Sequence, residues 1–493
     1  MDIVLDPNCV ESYRQFLEIK KLPAWSIKGR VASFPDEYAA RIGAKAKTTK
    51  AKYSPEPFLF DYQQDIARLA IDRQKFAVFA DCGLGKSLIY FSYARHVFAR
   101  IGKRQRVLMI TPPLVVPQMI DEAKRFYGDD FPIERVRASG LAEWLSNPGE
   151  CIGVTNYEAL KEDTPQGCLG ALILDESSVL KSHYGKQASI CLRLGRGLEW
   201  KLCGTGTPAP NDRIEYANHA VLLDRFPTVN SFLAKYFVNR GQTDARWELK
   251  PHALRPFYRS LSDWCIFLSD PSVYGWKDNV ANLPPINVHI HDVELTTQQK
   301  DWVQKHLGTL IATRTGGITM RSSYGQVSKG FWKGQRFETN KPGFIADLVN
   351  SWRAKESTLL WCKYDDEQSL IHAAVGGESL DGKTPWKTRL RQVEAFKAGE
   401  VDALTSKPRI LGFGLNLQAA TRQVFSTLQD SYEEYYQCIK RSNRIGSTRP
   451  LHAHLPVTEL ELPMVENVLR KADRVESDTK EQESMFRDEW VRR

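Results

Sequence analysis

The chain has nine cysteines in 493 residues, an odd number with no CxxC pair among them. That spacing offers neither a zinc knuckle nor a disulfide framework, and it points to a reducing compartment. No uninterrupted apolar run approaches the ~20 residues that a membrane-spanning helix requires. The first residues, MDIVLDPNCV, lack the charged start and apolar core of a secretory leader. No short-period repeat is present. The one low-complexity stretch, AKAKTTKAK at Ala44–Lys52, reads as a solvated tether. These absences lead to the expectation of a cytoplasmic protein with no membrane partner.

What remains is ordinary globular material with a basic tilt. Hydrophobic residues make up 42% and charged residues 26%, enough for sizeable cores. Lys and Arg number 68 against 59 Asp and Glu, a net charge of +9, which fits a polyanionic partner without specifying one. The length allows about three domains.

The most informative tract is ADCGLGKS, Ala80–Ser87. It follows the apolar run Phe76–Ala80 and precedes a helical pattern with apolar residues at Leu88, Phe91, Val97 and Phe98, the strand–turn–helix setting of a phosphate cradle. Gly83, Leu84 and Gly85 form a turn in which backbone amides approach phosphate oxygens. Lys86 reaches the β- and γ-phosphates, and the Ser87 hydroxyl is suited to Mg²⁺. Taken alone, the tract also fits a plain glycine-rich turn. Further apolar runs then alternate with helical segments: Arg106–Thr111, Cys151–Asn156, Ala171–Glu176 and Trp200–Thr205, then Thr358–Cys362, Val401–Ser406 and Gln423–Leu428. The alternation predicts parallel sheets covered by helices in two α/β lobes.

Two more elements carry chemistry. LILDESS, Leu172–Ser178, delivers Asp175 and Glu176 to the carboxyl end of a strand, where open α/β sheets bind ligands. There Asp175 is placed to hold Mg²⁺ and Glu176 to orient and deprotonate a water. An acidic pair after a strand also occurs as a simple helix start. QCIKRSNRIGS, Gln437–Ser447, spaces Gln437, Arg441 and Arg444 at i, i+4 and i+7, which predicts one helical face bearing two guanidinium groups for a γ-phosphate. The bland alternative is an exposed basic helix.

In this order the motifs resemble those of superfamily-two helicases, within them the Swi/Snf-like DNA translocases, from about Phe58 to Leu469. FDYQQD (Phe60–Asp65) resembles the adenine-recognising Q motif, with Gln63 as its glutamine. ADCGLGKS and LDESS resemble motifs I and II, with Ser177-Ser178 where relatives often have Ala-Asp or Ala-His. ITPPLVVPQ (Ile110–Gln118), VTNYEAL (Val154–Leu160) and CGTGTPAPN (Cys203–Asn211) resemble motifs Ia, Ib and III, and TLLWCKY resembles motif IV. SKPRILGFGLNLQAA (Ser406–Ala420) is similar to motif V, and the RIG tract to motif VI.

The resemblance implies two RecA-like lobes with ATP and Mg²⁺ between them. Gln63, Gly83, Leu84, Gly85, Lys86, Ser87, Asp175 and Glu176 would come from the first lobe, and Gly414, Arg441 and Arg444 from the second. It implies DNA, duplex or branched, as partner, contacted by Thr111 and Asn156 in one lobe and by Ser406, Lys407 and Asn416 in the other. Its compact layout resembles helicases of bacterial viruses, hence a bacterial or phage-infected cytoplasm. Residues Phe226–Asn282 depart from the larger remodellers, being short and without their paired-arginine signature.

The expected domains are an N-terminal segment of unread role (1–52), a first RecA-like lobe (53–223), an inter-lobe insertion (224–285), a second RecA-like lobe (286–470) and a charged C-terminal helix (471–493). The expected activity is ATP-dependent DNA helicase or duplex translocase. An RNA helicase and a non-motor ATP-binding interaction protein stay as alternatives. Trp352 and Trp361 read as packing groups. His452 and His454, in PLHAHLP, read as part of an edge strand without metal partners.

Overall fold

The computed structural model describes residues 2–490 apart from 23–24, 35–37, 40–41, 44–52, 114, 130, 183–184, 211, 242–246, 278–282, 308–317, 354–355, 412–416, 429–430 and 445–446. The chain divides into two compact units, residues 1–279 with 479–493, and residues 280–478. Among the described residues no helix is long and apolar enough to cross a membrane.

The first unit begins with a small module. Helix α1 (Val10–Lys21) accompanies three short strands, β1 (Asp2–Val4), β2 (Ser26–Lys28) and β3 (Val31–Ser33), paired antiparallel in the order β1-β3-β2. Ile19, Leu22, Ala32, Phe34 and Tyr38 form its own core.

The main sheet of this unit holds seven strands: β4 (Lys75–Ala80), β5 (Arg106–Thr111), β6 (Ile133–Arg135), β7 (Ile152–Asn156), β8 (Leu169–Asp175), β9 (Trp200–Gly204) and, beyond a hairpin of β10 (Phe237–Asn239) with β11 (Trp247–Leu249), β12 (Cys265–Leu268). Their order is β12-β4-β9-β8-β5-β7-β6, and every pairing is parallel. The central strands are mostly apolar because both faces are covered. All seven residues of β8 and Phe76–Ala80 of β4 are buried, each large side chain contributing about 1.5–3 kcal/mol. Segment 224–285, set apart in sequence as an insertion, supplies β12 to this sheet. The helix Leu462–Trp490 ends here too. Phe486 packs on Phe267, and Glu483 accepts from the Ser269 hydroxyl at 2.8 Å.

The second unit carries β13 (Ile286–Asp292), a short hairpin β14 (Phe331–Trp332) with β15 (Gln335–Arg336), then β16 (Ser357–Trp361), β17 (Glu378–Leu380), β18 (Ala403–Ser406), β19 (Ala420–Phe425) and β20 (Leu451–Val457). Six of these form a parallel sheet in the order β13-β20-β19-β16-β18-β17. The expected fold class, two α/β lobes with helix-flanked parallel sheets, is borne out. Trp361 is a packing group in the core of this sheet.

The strand with His452 and His454 is not an edge. β20 lies between β13 and β19, and β13 takes the edge. Parallel register puts His289 opposite His454, so His289, His291, His452 and His454 share one face. His289 Nε2 and His452 Nδ1 are 2.9 Å apart, and His291 Nε2 and His454 Nδ1 3.0 Å. The Arg422 guanidinium, which can only donate, lies 3.3 Å from His454 Nε2. His454 therefore accepts there and donates its Nδ1–H to His291. The Trp352 ring stacks on His454 at 4.6 Å. The imidazoles stack rather than converge, and among the described residues no group of three or more His, Cys, Asp or Glu side chains is arranged to hold a metal ion.

Burial, then the neighbouring His289, His291 and Arg422, pushes His454 down to about 3. Its folded value lies below the unfolded one, so its contribution to stability is whole above about pH 6.5 and is lost as pH falls toward 3. His454→Gln keeps an acceptor for Arg422 and a donor for His291 but does not titrate. Urea unfolding at a series of pH values should show the variant matching wild type at pH 7.5 and taking up about one proton fewer on unfolding near pH 5. Equal slopes would show that His454 is not held neutral by this ladder.

Candidate functional site

β4, β9 and β8 are parallel neighbours, so the loops leaving their carboxyl ends meet at one end of the first sheet. After β4 the chain turns through residues 81–85 into α3 (Lys86–Phe98), capped by Gly85 in the left-handed region at φ +65°. Glycine is required there for a second reason. A Cβ would lie 2.3 Å from Gln63 Nε2.

Gln63 sits in α2 (Asp61–Arg73) and is almost wholly buried. Its Oε1 accepts from the Phe60 N–H at 3.0 Å, and its Nε2 donates to the Leu84 and Gly85 carbonyls at 3.3 and 3.5 Å. Tyr62 Oη donates to the same Leu84 carbonyl at 3.0 Å. The glutamine expected to read adenine thus fixes the phosphate loop in this state. Lys86 Nζ donates to the Ala80 and Asp81 carbonyls at 2.7 and 3.2 Å, keeping the ammonium folded on the loop it serves. Ser87 follows in the first turn of α3.

β8 ends at Asp175, which pairs in register with Gly204, the last residue of β9. Asp175 Oδ2 accepts from Thr111 Oγ1 at 2.7 Å, and its carbonyl accepts from Tyr157 Oη at 2.6 Å. Glu176 adopts φ +49°, an uncommon conformation for a residue with a side chain. Its Oε2 accepts from Thr205 Oγ1 at 3.1 Å, while Thr205 Oγ1 accepts from the Thr207 N–H at 3.1 Å. Next to it, Ser177 Oγ lies 3.0 Å from Nε2 of His219, whose burial brings it down to about 4 and keeps it neutral. Burial, reinforced by Glu176, pushes Asp175 from 3.8 up to about 6.

A desolvated carboxylate beside a second acid is a site short of a cation. With the Ser87 hydroxyl close in sequence to the glycine turn, the donor set is all oxygen and fits Mg²⁺ bound together with phosphate oxygens. The side-chain-free turn at Gly83 and Gly85, with positive φ at both, fits phosphate.

The other expected contacts fare differently. Thr111 is fully buried with its hydroxyl on Asp175, so that hydroxyl serves the acid rather than an outer phosphate. Asn156 Oδ1 accepts from the Ala159 N–H at 3.0 Å as a local cap. Ser406 is buried and donates to the Leu380 carbonyl at 2.8 Å, and Lys407 pairs with Asp365. Gly414 and Asn416 lie outside the described residues.

Gln437 and Arg441 are both buried on the helix Tyr432–Ser442, but Arg444 is not on that face. The helix stops at Asn443, at φ −87° and ψ 88°, where Asn443 Nδ2 donates to the Pro284 carbonyl at 2.8 Å. The i+7 position is therefore beyond the last turn, and the alignment read from spacing holds only for Gln437 and Arg441.

Residues 340–446 match the family model of the Helicase conserved C-terminal domain. That match lies wholly within the second unit. Two curated relatives agree. Helicase SWR1 of Mycosarcoma maydis is 36% identical over 95 residues, 19% of this chain and 5% of that protein. ATP-dependent helicase fft1 of Schizosaccharomyces pombe is 26% identical over 137 residues, 26% of this chain and 14% of its own length. The chain thus spans a small part of either relative. A solved structure described as the Sulfolobus solfataricus SWI2/SNF2 ATPase core in complex with dsDNA is similar over 82% of this chain and 89% of its own, at 17% identity and a TM-score of 0.41. The domain match and the two helicase relatives agree with the motif-based resemblance to helicases. They do not bear on the likeness to viral helicases.

Thr205, Tyr157 and His219 were not singled out by sequence. Thr205 lies inside the CGTGTPAPN tract, but nothing in its spacing ties it to Glu176. The raised Asp175 has a consequence for stability. The folded state binds its proton more tightly than the unfolded chain, so stability is present below pH 3.8 and lost as pH rises through 6. Asp175→Asn should therefore stabilise the nucleotide-free protein by about 2–3 kcal/mol at pH 7.5, with the gain vanishing near pH 4, as read by urea unfolding. A variant less stable than wild type at pH 7.5 would contradict the desolvation account.

Proposed function

We propose that the chain is an ATP-dependent DNA helicase or duplex-DNA translocase that couples ATP hydrolysis to movement along duplex or branched DNA. The observation that carries this is the meeting of three loops at the carboxyl end of one sheet: Lys86 after β4, Thr205 after β9, and Asp175-Glu176 at the end of β8. In this reading the amides of residues 83–87 and the Lys86 ammonium bind the β- and γ-phosphates. Ser87 and Asp175 hold Mg²⁺, which neutralises phosphate charge when bound.

Glu176, oriented by Thr205, takes the proton of the water whose oxygen attacks the γ-phosphorus, and ADP leaves. Arg441 and Arg444 supply guanidinium groups to the charge that develops on the transferring phosphoryl group. Backbone amides at the carboxyl ends of β5, β7 and β18 hold DNA phosphates without reading bases. The net charge of +9 favours this partner.

Nucleotide affinity and turnover, measured separately, test the assignment. Lys86→Ala should abolish hydrolysis. Glu176→Gln should bind ATP within a few-fold of wild type yet lose at least about 10²-fold in turnover. Arg441→Ala should leave affinity in place and lower turnover by about 10³-fold. Normal turnover in Glu176→Gln would remove that residue as the base.

A further inference from the structure

Tyr90 belongs to none of the motifs, yet it stands at the centre of the acidic site. It lies on α3, four residues after Lys86 and three after Ser87, so one helix presents all three toward the same end of the sheet. It is wholly buried. Its hydroxyl fills the space beneath the last residue of β9: a Cβ on Gly204 would fall 1.8 Å from Tyr90 Oη and 2.6 Å from its Cζ. Gly204 is the register partner of Asp175, so the phenol lies alongside the end of β8.

A buried phenol ordinarily finds a partner, because leaving one unpaired costs about 1–3 kcal/mol. Tyr90 Oη makes no hydrogen bond of ordinary geometry. Burial, reinforced by the neighbouring Asp175 and Glu176, keeps the phenol protonated. A permanent O–H donor is thus held beside a carboxylate that already accepts from one buried hydroxyl, Thr111, at 2.7 Å.

We propose that Tyr90 is a positioning residue of the nucleotide site, whose O–H donates to the Asp175 carboxylate alongside Thr111 and so holds that acid in the orientation that receives the metal. The proposal rests on the reading of Asp175 as the metal-holding carboxylate. It gives Gly204 a reason beyond backbone freedom, since any side chain there displaces the phenol. It also gives α3 a third task besides phosphate and metal: the helix that binds nucleotide also aims the acid.

Two readouts on the full chain test it. The first is ADP affinity titrated with Mg²⁺ and repeated in EDTA. Tyr90→Phe and Thr111→Val should each raise the half-saturating Mg²⁺ concentration about five- to tenfold, with ADP affinity in EDTA unchanged. The second needs no nucleotide: a double-mutant cycle of Tyr90→Phe and Asp175→Asn on unfolding at pH 7.5, which should be non-additive by about fivefold or more in the equilibrium constant. If Mg²⁺ alters ADP affinity in wild type but Tyr90→Phe responds like wild type, the positioning role is overturned. If Mg²⁺ does nothing even in wild type, the nucleotide reading fails and the cycle decides. Coupling then still ties Tyr90 to Asp175, and additivity overturns the proposal.

Discussion

The parallel register that sets Asp175 of β8 opposite Gly204 of β9 is the constraint on which the site depends. It lets Thr205, one residue further on, reach Glu176, while the phenol of Tyr90 occupies the volume that the glycine leaves. Slipping one strand by a single residue would turn each of these side chains to the other face of the sheet. Burial of β8 along its whole length holds the strand in the sheet, and the close fit of Tyr90 under Gly204 tolerates no slip. The hydrophobic effect therefore sets the position of the acids, and directional hydrogen bonds from Thr111, Tyr157 and Thr205 set their orientation.

The site pays for its chemistry in local stability. Asp175 is desolvated beside a second acid, Glu176 sits in a left-handed conformation, and the Lys86 ammonium is folded onto carbonyls. Each arrangement is unfavourable or self-satisfied without a ligand and suits a bound polyanion with its cation. Surrounding rigidity makes this tolerable. Gln63 and Tyr62 hold the glycine turn from below, and α3 behind it is buried along most of its length.

Much of the fold was legible because covered parallel strands are apolar runs that stand out in any window. Strands such as Arg106–Thr111 and Ala403–Ser406 were found within a residue or two. Short strands were not. Cys265–Leu268 is only four residues long within SDWCIFLSDP and was read as part of an insertion, although it pairs with β4. The phosphate turn and the acidic pair were legible because their chemistry requires fixed spacing along the chain. Contacts made across strands are not, since no spacing along the chain ties Thr111 to Asp175 or the histidines of β13 to those of β20. Arg444 failed for a local reason, since Asn443 ends the helix before the i+7 position is reached.

In the proposed function, hydrolysis at the first-unit site is driven by DNA. Steady-state ATP turnover of the wild-type chain, measured without nucleic acid and with saturating duplex DNA, single-stranded DNA or RNA, tests it most directly. The account requires turnover to rise about tenfold or more with duplex DNA and to rise far less with RNA. Turnover that is indifferent to DNA, or that responds most strongly to RNA, would contradict it.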